Sequence, residues 1–311
     1  MNLFPYNSQF DFMRLSKVSL FLALALMVVS LAAIPMRGFN FALDFTGGTV
    51  AELHFEESVD LDAAREKLEG AGFNGVQVQT FGATTELLVR LQPEAGEDNA
   101  VRTGEELLKV LNSAENPGTL IRSDFVGPQI GKELAQNGVY ALLLVVAGFL
   151  IYISLRFEWK FAVAAIIATL HDVLIAVGWF AISGHEFDLN VLAGILSVMG
   201  YSINDTIVVF DRVRENFRTL RLTPAQIMNR SVNQTLSRTI ITSFVALLTV
   251  LALYFYGGPS LKGMAEAQII GIVIGTLSSI FIACPLLLWL GASKEDLMPK
   301  ERDEAELARR P

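Results

Sequence analysis

Four residues with proton or charge chemistry to offer stand in, or at the edge of, runs that are otherwise apolar. His171 and Asp172 lie in "FAVAAIIATLHDVLIAVGWFAI", Asp205 near the end of "VLAGILSVMGYSINDTIVVF", and Arg238 at the head of "TIITSFVALLTVLALYFY". A charged side chain at the centre of a bilayer helix costs about 2.5–3.5 kcal/mol on insertion scales, so each needs a partner or a task. Burial and a neighbouring guanidinium act in opposite senses on a carboxylic acid, so a carboxyl that moves between such surroundings can accept and release a proton. The other reading of Asp205 and Arg238 is a static ion pair that pins two helices, an arrangement that adds little net stability once desolvation is counted. At the level of the residues both readings stand.

Spacing sharpens the candidates. Asn190, Gly194, Ser197, Tyr201, Asn204 and Asp205 recur every three or four residues, which predicts a polar stripe facing protein or water rather than lipid. Counted from Asn190, Asp205 lies roughly 22 Å along its helix, about 8 Å short of the inner edge of a ~30 Å hydrocarbon layer. Arg238 enters roughly 5 Å from that same edge, so an Asp205–Arg238 pair is geometrically reasonable. His171 and Asp172 fall roughly 15 Å deep. As helix neighbours they point about 100° apart and are not expected to act as one chelating pair. Asp172 is a candidate step in a proton path, and His171 is read as a packing and hydrogen-bonding residue.

The elements that must position these groups are membrane spans. Of 311 residues, 52% are hydrophobic and only 18% charged, a balance that excludes an ordinary soluble domain. Six stretches can cross the bilayer: 18–35, 138–155, 161–182, 191–210, 239–256 and 269–290. The first follows Arg14 and Lys17 like a signal peptide, but its length and the five spans after it favour a retained helix. Lysine and arginine concentrate in segments 1–17, 156–160, 211–238 and 291–311, so both termini are expected to be cytoplasmic and residues 36–137 external. The net charge of −8 bears little on orientation and gives no sign of a nucleic-acid partner. The single cysteine, Cys284, excludes an intramolecular disulfide and reads as a small packing residue.

The external segment has the rhythm of a small α+β domain. "GGTVAELHFEE", "GVQVQTFG", "TELLVRL" and "GTLIRSDFVGP" read as strands, with "VDLDAAREKLEGAGF" and "DNAVRTGEELLKVLNS" as helices, in the β-α-β-β-α-β order of a ferredoxin-like layout. His54, between Glu52 and Glu56, reads as part of a strand face rather than a metal site. Gly47 and Gly48 in "DFTGGT" lack the helix and lysine of a phosphate loop and predict a backbone bend or a close approach, with Asp44 as a turn or cap carboxylate. In the loop 211–238, "TPAQIMNRSVNQTL" opens with a capping box at Thr223, Pro224 and Gln226 and predicts an amphipathic helix along the inner membrane surface. Thr239, Thr242, Ser243 and Thr249 add hydroxyls to the fifth span, while Gly271 and Gly275 in "GIVIG" predict close helix packing in the sixth. There is no nucleotide loop, no zinc spacing and no nucleophile with a base in reach, so no enzymatic site and no cofactor is expected.

The blocks "LDFTGGT", "RFEWK", "HDV", "GYSINDTIVVFDRVRENFR", "SRTIITS" and "YGGPSLKGMAEAQIIGIVIGTLSSIFIA" together resemble the SecD/SecF family of bacterial protein-export membrane proteins, within the resistance-nodulation-division superfamily. The resemblance runs from about Phe39 to Leu290. It implies a polytopic α-helical protein, half of a twelve-span unit, with a small ferredoxin-like periplasmic domain in the bacterial inner membrane. It implies SecD, the SecYEG translocon and a translocating preprotein as partners, with YajC and YidC further out, and the proton as coupling ion. The implied function is promotion of late-stage preprotein translocation by the proton-motive force, with proton transport by residues that fall on Asp205 and Arg238. A proton-driven efflux half-transporter for small molecules or lipids is the alternative on the same superfamily plan.

Overall fold

The protein is described here by a computed structural model, which covers residues 9–73, 75–81, 83–91, 100–294 and 296. The basic residues of the tail, Lys300, Arg302, Arg309 and Arg310, lie outside them. In chain order the elements are α1 (Ser16–Arg37), β1 (Asn40–Phe41), α2 (Leu43–Thr46), β2 (Gly48–Phe55), α3 (Leu61–Gly70), β3 (Gln77–Phe81), β4 (Ala83–Leu91), α4 (Ala100–Leu111) and β5 (Gly118–Val126). These are followed by α5 (Pro128–Arg156), α6 (Trp159–Ser183), β6 (Glu186–Phe187), α7 (Leu189–Thr219), α8 (Pro224–Tyr256), α9 (Pro259–Ser278), a π-helical turn (Ser279–Ala283) and α10 (Cys284–Trp289). Six helical stretches among the described residues are long and apolar enough to cross a membrane. Two compact units result: residues up to 38 with 144–184 and 193 onward, and residues 39–143 with 185–192.

The smaller unit carries a four-stranded antiparallel sheet in the order β3-β4-β2-β5, the ferredoxin-like order its β-α-β-β-α-β sequence demands. Period-two alternation sets its core. Ala51, Leu53 and Phe55 of β2 and Leu87 and Val89 of β4 point to one face, where Leu68 of α3 and Leu107 of α4 cover them. Each fully buried leucine contributes about 1.5–3 kcal/mol. Asp60 caps α3, accepting from the backbone N–H groups of Asp62 (2.9 Å) and Ala63 (3.4 Å). His54 is exposed on β2. Gly118 of β5 packs tightly against this core: an added Cβ there would lie 2.6 Å from the Phe55 ring.

In the larger unit, Phe157, Phe161 and Phe210 form an aromatic cluster, with Phe161 edge-on to Phe210 at 5.4 Å. The turn between α5 and α6 is tied to α7 by Arg156–Asp211 (2.8 Å) and Arg214–Glu158 (3.1 Å). Cys284 is buried in this core as a packing residue.

Several helix ends differ from the spans read in the sequence: α7 runs on to Thr219 and α9 begins at Pro259, and two further differences concern α5 and α8. The helix of the second span begins at Pro128, not Gly138, because a single glycine between the polar first turns and the apolar run weakens a helix without ending it. The segment 211–238 does not hold a separate surface helix. The capping box at Thr223 and Gln226 forms, but no glycine or proline follows it before the span, so one 33-residue helix runs from Pro224 to Tyr256. Its apolar face, with Ile227, Met228, Val232 and Leu236, is buried in the protein core rather than turned to a surface.

Candidate functional site

Helix α7 carries Asp205 with the buried hydroxyls of Ser202 and Thr206, and α9 holds it by close approach. At Gly271 an added Cβ would meet the Val198 side chain at 2.2 Å, and at Gly275 the Ser202 Cβ at 3.1 Å. Gly194 repeats the contact from the α7 side, where a Cβ would lie 2.9 Å from the Met264 carbonyl oxygen. The paired numbers rise together, so α7 and α9 run in the same direction at a backbone separation that only small residues permit.

Ser202, fixed by this packing, is bonded to Asp172 of α6. Ser202 Oγ donates to Asp172 Oδ2 at 2.5 Å, and Asp172 Oδ1 is 2.8 Å from His171 Nδ1. Asp172 is fully buried and His171 is 2% exposed. The Cα–Cβ directions of these neighbours diverge, but the imidazole Nδ1 reaches back to the adjoining carboxylate, a hydrogen-bonding contact of the kind expected of His171 rather than a chelating one. The other ring nitrogen, Nε2, is buried with no hydrogen-bond partner among the described residues.

Asp205 lies one turn farther along α7 and is 4% exposed. Its Oδ2 is buried and has no hydrogen-bond partner among the described residues. Arg238 is near enough for its charge to act on Asp205, yet its side chain is on the exposed face of α8, and no ion pair within 4.0 Å joins the two among the described residues. The paired geometry that the depths allowed is therefore open in this conformation. Beside Arg238, Thr239 is buried and its hydroxyl has no partner among the described residues.

The predicted stripe splits. Asp205 is buried, Tyr201 is half-buried, and Ser197 and Asn204 are exposed. At 100° per residue, Ser197 and Asn204 point roughly 100° or more away from Ser202, Thr206 and Val209, which face the core. Asp205 lies between these two faces. Tyr201 turns its hydroxyl to Ser243 of α8 at 2.8 Å; Ser243 donates to the Thr239 carbonyl at 2.7 Å, and Thr276 of α9 reaches Ser243 at 2.8 Å.

Sequence reasoning passed over Ser202, Thr206, Thr169 and Ser278. The hydroxyls of Thr206, Thr169 and Ser278 are buried without partners among the described residues. Ser202 and Thr206 were detectable as the i−3 and i+1 neighbours of Asp205, on its buried side. Ser278 adjoins the π turn of the sixth span, whose cause is local: Pro285 has no N–H to give to the preceding turn, and π turns often mark functional positions.

At the other unit, Gly47 and Gly48 adopt φ of 67° and 116°, and a Cβ on Gly131 of α5 would lie 3.0 Å from the Gly47 nitrogen. The glycine pair thus provides both a bend and a close approach, because only residues without Cβ fit that conformation and distance. Asp44 Oδ2 accepts from the Leu189 N–H at 3.1 Å and Asp188 from that of Val191 at 2.6 Å, so two carboxylates cap the start of α7. Burial raises the pKa of Asp188, against the hydrogen bond from Val191. Burial also raises that of Glu186, against the charge of its ion-pair partner Arg90.

Residues 107–293 match the family described as "Protein export membrane protein SecD/SecF, C-terminal", and residues 32–59 the "SecD/SecF GG Motif". The chain is 42% identical over 304 residues to the protein translocase subunit SecF of Escherichia coli O157:H7, covering 97% of this chain and 94% of that one. It is 44% identical to SecF of Pseudomonas aeruginosa, covering 94% of each. Among solved structures it resembles the crystal structure of SecDF, a translocon-associated membrane protein from a Thermus species, with a TM-score of 0.84 and 39% identity over 93% of this chain. The chain spans 40% of the length of that SecDF chain.

Proposed function

Given that the chain belongs to the SecD/SecF family of protein export membrane proteins, we propose that it is the SecF-type subunit of the Sec export machinery and that Asp205 carries the proton whose movement drives the cycle. The export role follows the SecF relatives and the SecDF likeness rather than the efflux alternative. In this reading the chain works beside a SecD partner in the bacterial inner membrane, with both termini cytoplasmic. It has no cofactor and no catalytic site, and the proton is the coupling ion. The SecYEG channel and the translocating preprotein are its functional partners, with YajC and YidC as further ones.

The observation that carries the proposal is the state of Asp205: buried, with one oxygen unbonded among the described residues and no ion pair to the nearby, exposed Arg238. A clamp would join the two charges. An acid that alternates between a partnered and an unpartnered position needs them separable, and Asp205 lies at the edge between the buried face and the exposed Ser197–Asn204 face of α7. Asp172 and Tyr201 extend the polar route, while Gly271 and Gly275 hold α7 to α9.

The test is preprotein export by membranes carrying Asp205→Asn or Arg238→Ala, with and without an imposed proton gradient. Asp205→Asn should remove the gradient-dependent part of export while the protein still inserts and co-purifies with its partner. Gradient-stimulated export at the parental rate in that variant would refute the proposal. Full activity in a double variant with a volume-matched apolar pair would establish the clamp instead.

A further inference from the structure

His171 is a buried titratable group that the proton route above leaves unused. Its Nδ1 is 2.8 Å from Asp172 Oδ1, while the other carboxylate oxygen of Asp172 accepts from Ser202 of α7 at 2.5 Å. Nε2 is buried without a partner among the described residues. Resting on the reading that Asp205 carries the proton, we propose that His171 Nε2 is a relay atom that receives and hands on the proton, with Asp172 and Ser202, the latter one turn from Asp205 on α7, as its positioning residues.

An ionised carboxylate only accepts hydrogen bonds, so in the state proposed, with Asp172 ionised, both the Ser202 hydroxyl and the Nδ1–H of His171 donate to it. That bond fixes the tautomer. A neutral imidazole donating from Nδ1 presents a bare lone pair at Nε2. When a protonated water gives up its O–H proton there, an N–H bond forms and the imidazolium faces the Asp172 carboxylate across the existing hydrogen bond. The same division of labour, one nitrogen held by a carboxylate and the other exchanging the proton, operates in hydrolytic triads. Release breaks the Nε2–H bond to a second water, so the ring returns to its starting state and no redox partner is needed.

Position supports the role. Ser202 and Asp205 are three residues apart on α7, about 4.5 Å of helix rise, and therefore on adjoining turns of one face. The relay stands on the side of Asp205 nearer the start of α7. Four other hydroxyls, of Thr169, Thr206, Thr239 and Ser278, are buried without partners among the described residues, so the polar atoms around the route extend beyond the two carboxylates. A purely structural histidine would use only Nδ1, since a buried Asp172 needs a single N–H donor from this position.

That distinction sets the experiment. Asparagine can offer an amide N–H where Nδ1 stood but has no second, titratable nitrogen. The complex of this chain with its SecD partner, reconstituted in vesicles containing a pH-sensitive dye, is given an imposed gradient. His171→Asn should lower initial proton entry by roughly 100-fold or more, the scale of lost acid–base transfer, without loss of assembly. Ser202→Ala should lower it less. Near-parental entry in His171→Asn, with Asp205→Asn silent, would overturn the relay while leaving Asp205 as the carrier. Parental entry in Asp205→Asn would overturn the carrier reading and the relay with it. The chain has three histidines, His54, His171 and His185, so nitrogen NMR of the 15N-histidine-labelled parent complex gives a measurement that needs no variant. Protonated Nδ1 with bare Nε2 at His171 supports the relay, and the opposite neutral tautomer overturns it.

Discussion

Replacing Gly271 with alanine tests whether the approach of α9 to α7 holds the site together. The added methyl would lie 2.2 and 2.3 Å from the two Val198 methyls and 2.7 Å from Val198 Cβ. Ordinary carbon contacts begin near 3.5 Å, so the helices must part by roughly 1.3 Å there, or Val198 must leave its rotamer. Overpacking of this kind costs about 1–3 kcal/mol. Gly275→Ala meets Ser202 Cβ at 3.1 Å, a shortfall of only roughly 0.4 Å against the same contact distance, and should cost a fraction as much. Gly148, with nothing within 4 Å, is the control: alanine there should be neutral or stabilise α5 by up to about 1 kcal/mol. Thermal unfolding of the purified complex should rank the variants Gly148→Ala, Gly275→Ala, Gly271→Ala in falling stability. Adding Val198→Ala to Gly271→Ala removes the two shortest contacts and leaves the one at 2.7 Å, so rescue should be partial. Gly271→Ala melting with the parent, or no rescue by Val198→Ala, would refute the packing argument.

Other consequences follow from single contacts. Asn216 is buried and donates to Ser231 at 2.8 Å and Gln234 at 2.9 Å; Asn216→Ala should destabilise the α7–α8 junction by about 1–3 kcal/mol, read as faster hydrogen exchange there. Asp60→Ala removes the α3 cap and should cost about 1 kcal/mol, with exchange rising in the first turn of α3 only. Asp296 is partly desolvated, which alone would raise its pKa, but the hydrogen bonds from Lys160 and Ser293 outweigh that and lower it. A carboxyl with a lowered folded-state pKa adds stability above its ordinary value and loses it as pH falls through the folded one. Acidification below pH ~4 should therefore release the Lys160–Asp296 tie, and Asp296→Asn should remove that pH response in proteolysis of the segment after α10.

The fold was legible where one signal dominated. Alternation in "VAELHF" marked β2, and apolar length marked the spans. Helix ends were less legible because hydropathy reports where a lipid boundary falls, not where a helix stops: α8 starts at its capping box and runs on through the boundary. At the site, Asp205, Asp172 and the glycines of α9 were visible as exceptions to their surroundings. Ser202 was not, since a serine in a span is common and its meaning depends on which residue of α6 lies opposite. Ser197 and Asn204 were included because they repeat at the right interval, but periodicity defines a face without saying which neighbour that face meets.

Asp172 and Asp205 differ in how far each can change partners. Both oxygens of Asp172 are engaged, by His171 and Ser202, so moving it would break two bonds of a buried carboxylate, where each lost bond is costly. Asp205 retains an unengaged oxygen, with a separable arginine and an exposed polar face beside it. A rotation of α7 by a fraction of a turn would move Asp205 between those surroundings and, through Ser202 on the same helix, would strain the bond to Asp172. One α7 turn thus separates Asp205 from Ser202, the residue bonded to Asp172, which would link the movements of the two carboxylates. If that link operates, Ser202→Ala should loosen the dependence of α7 movement on α6, and cross-linking between the two helices should then respond less to the proton gradient than in the parent. An unchanged response would mean that the two carboxylates move independently.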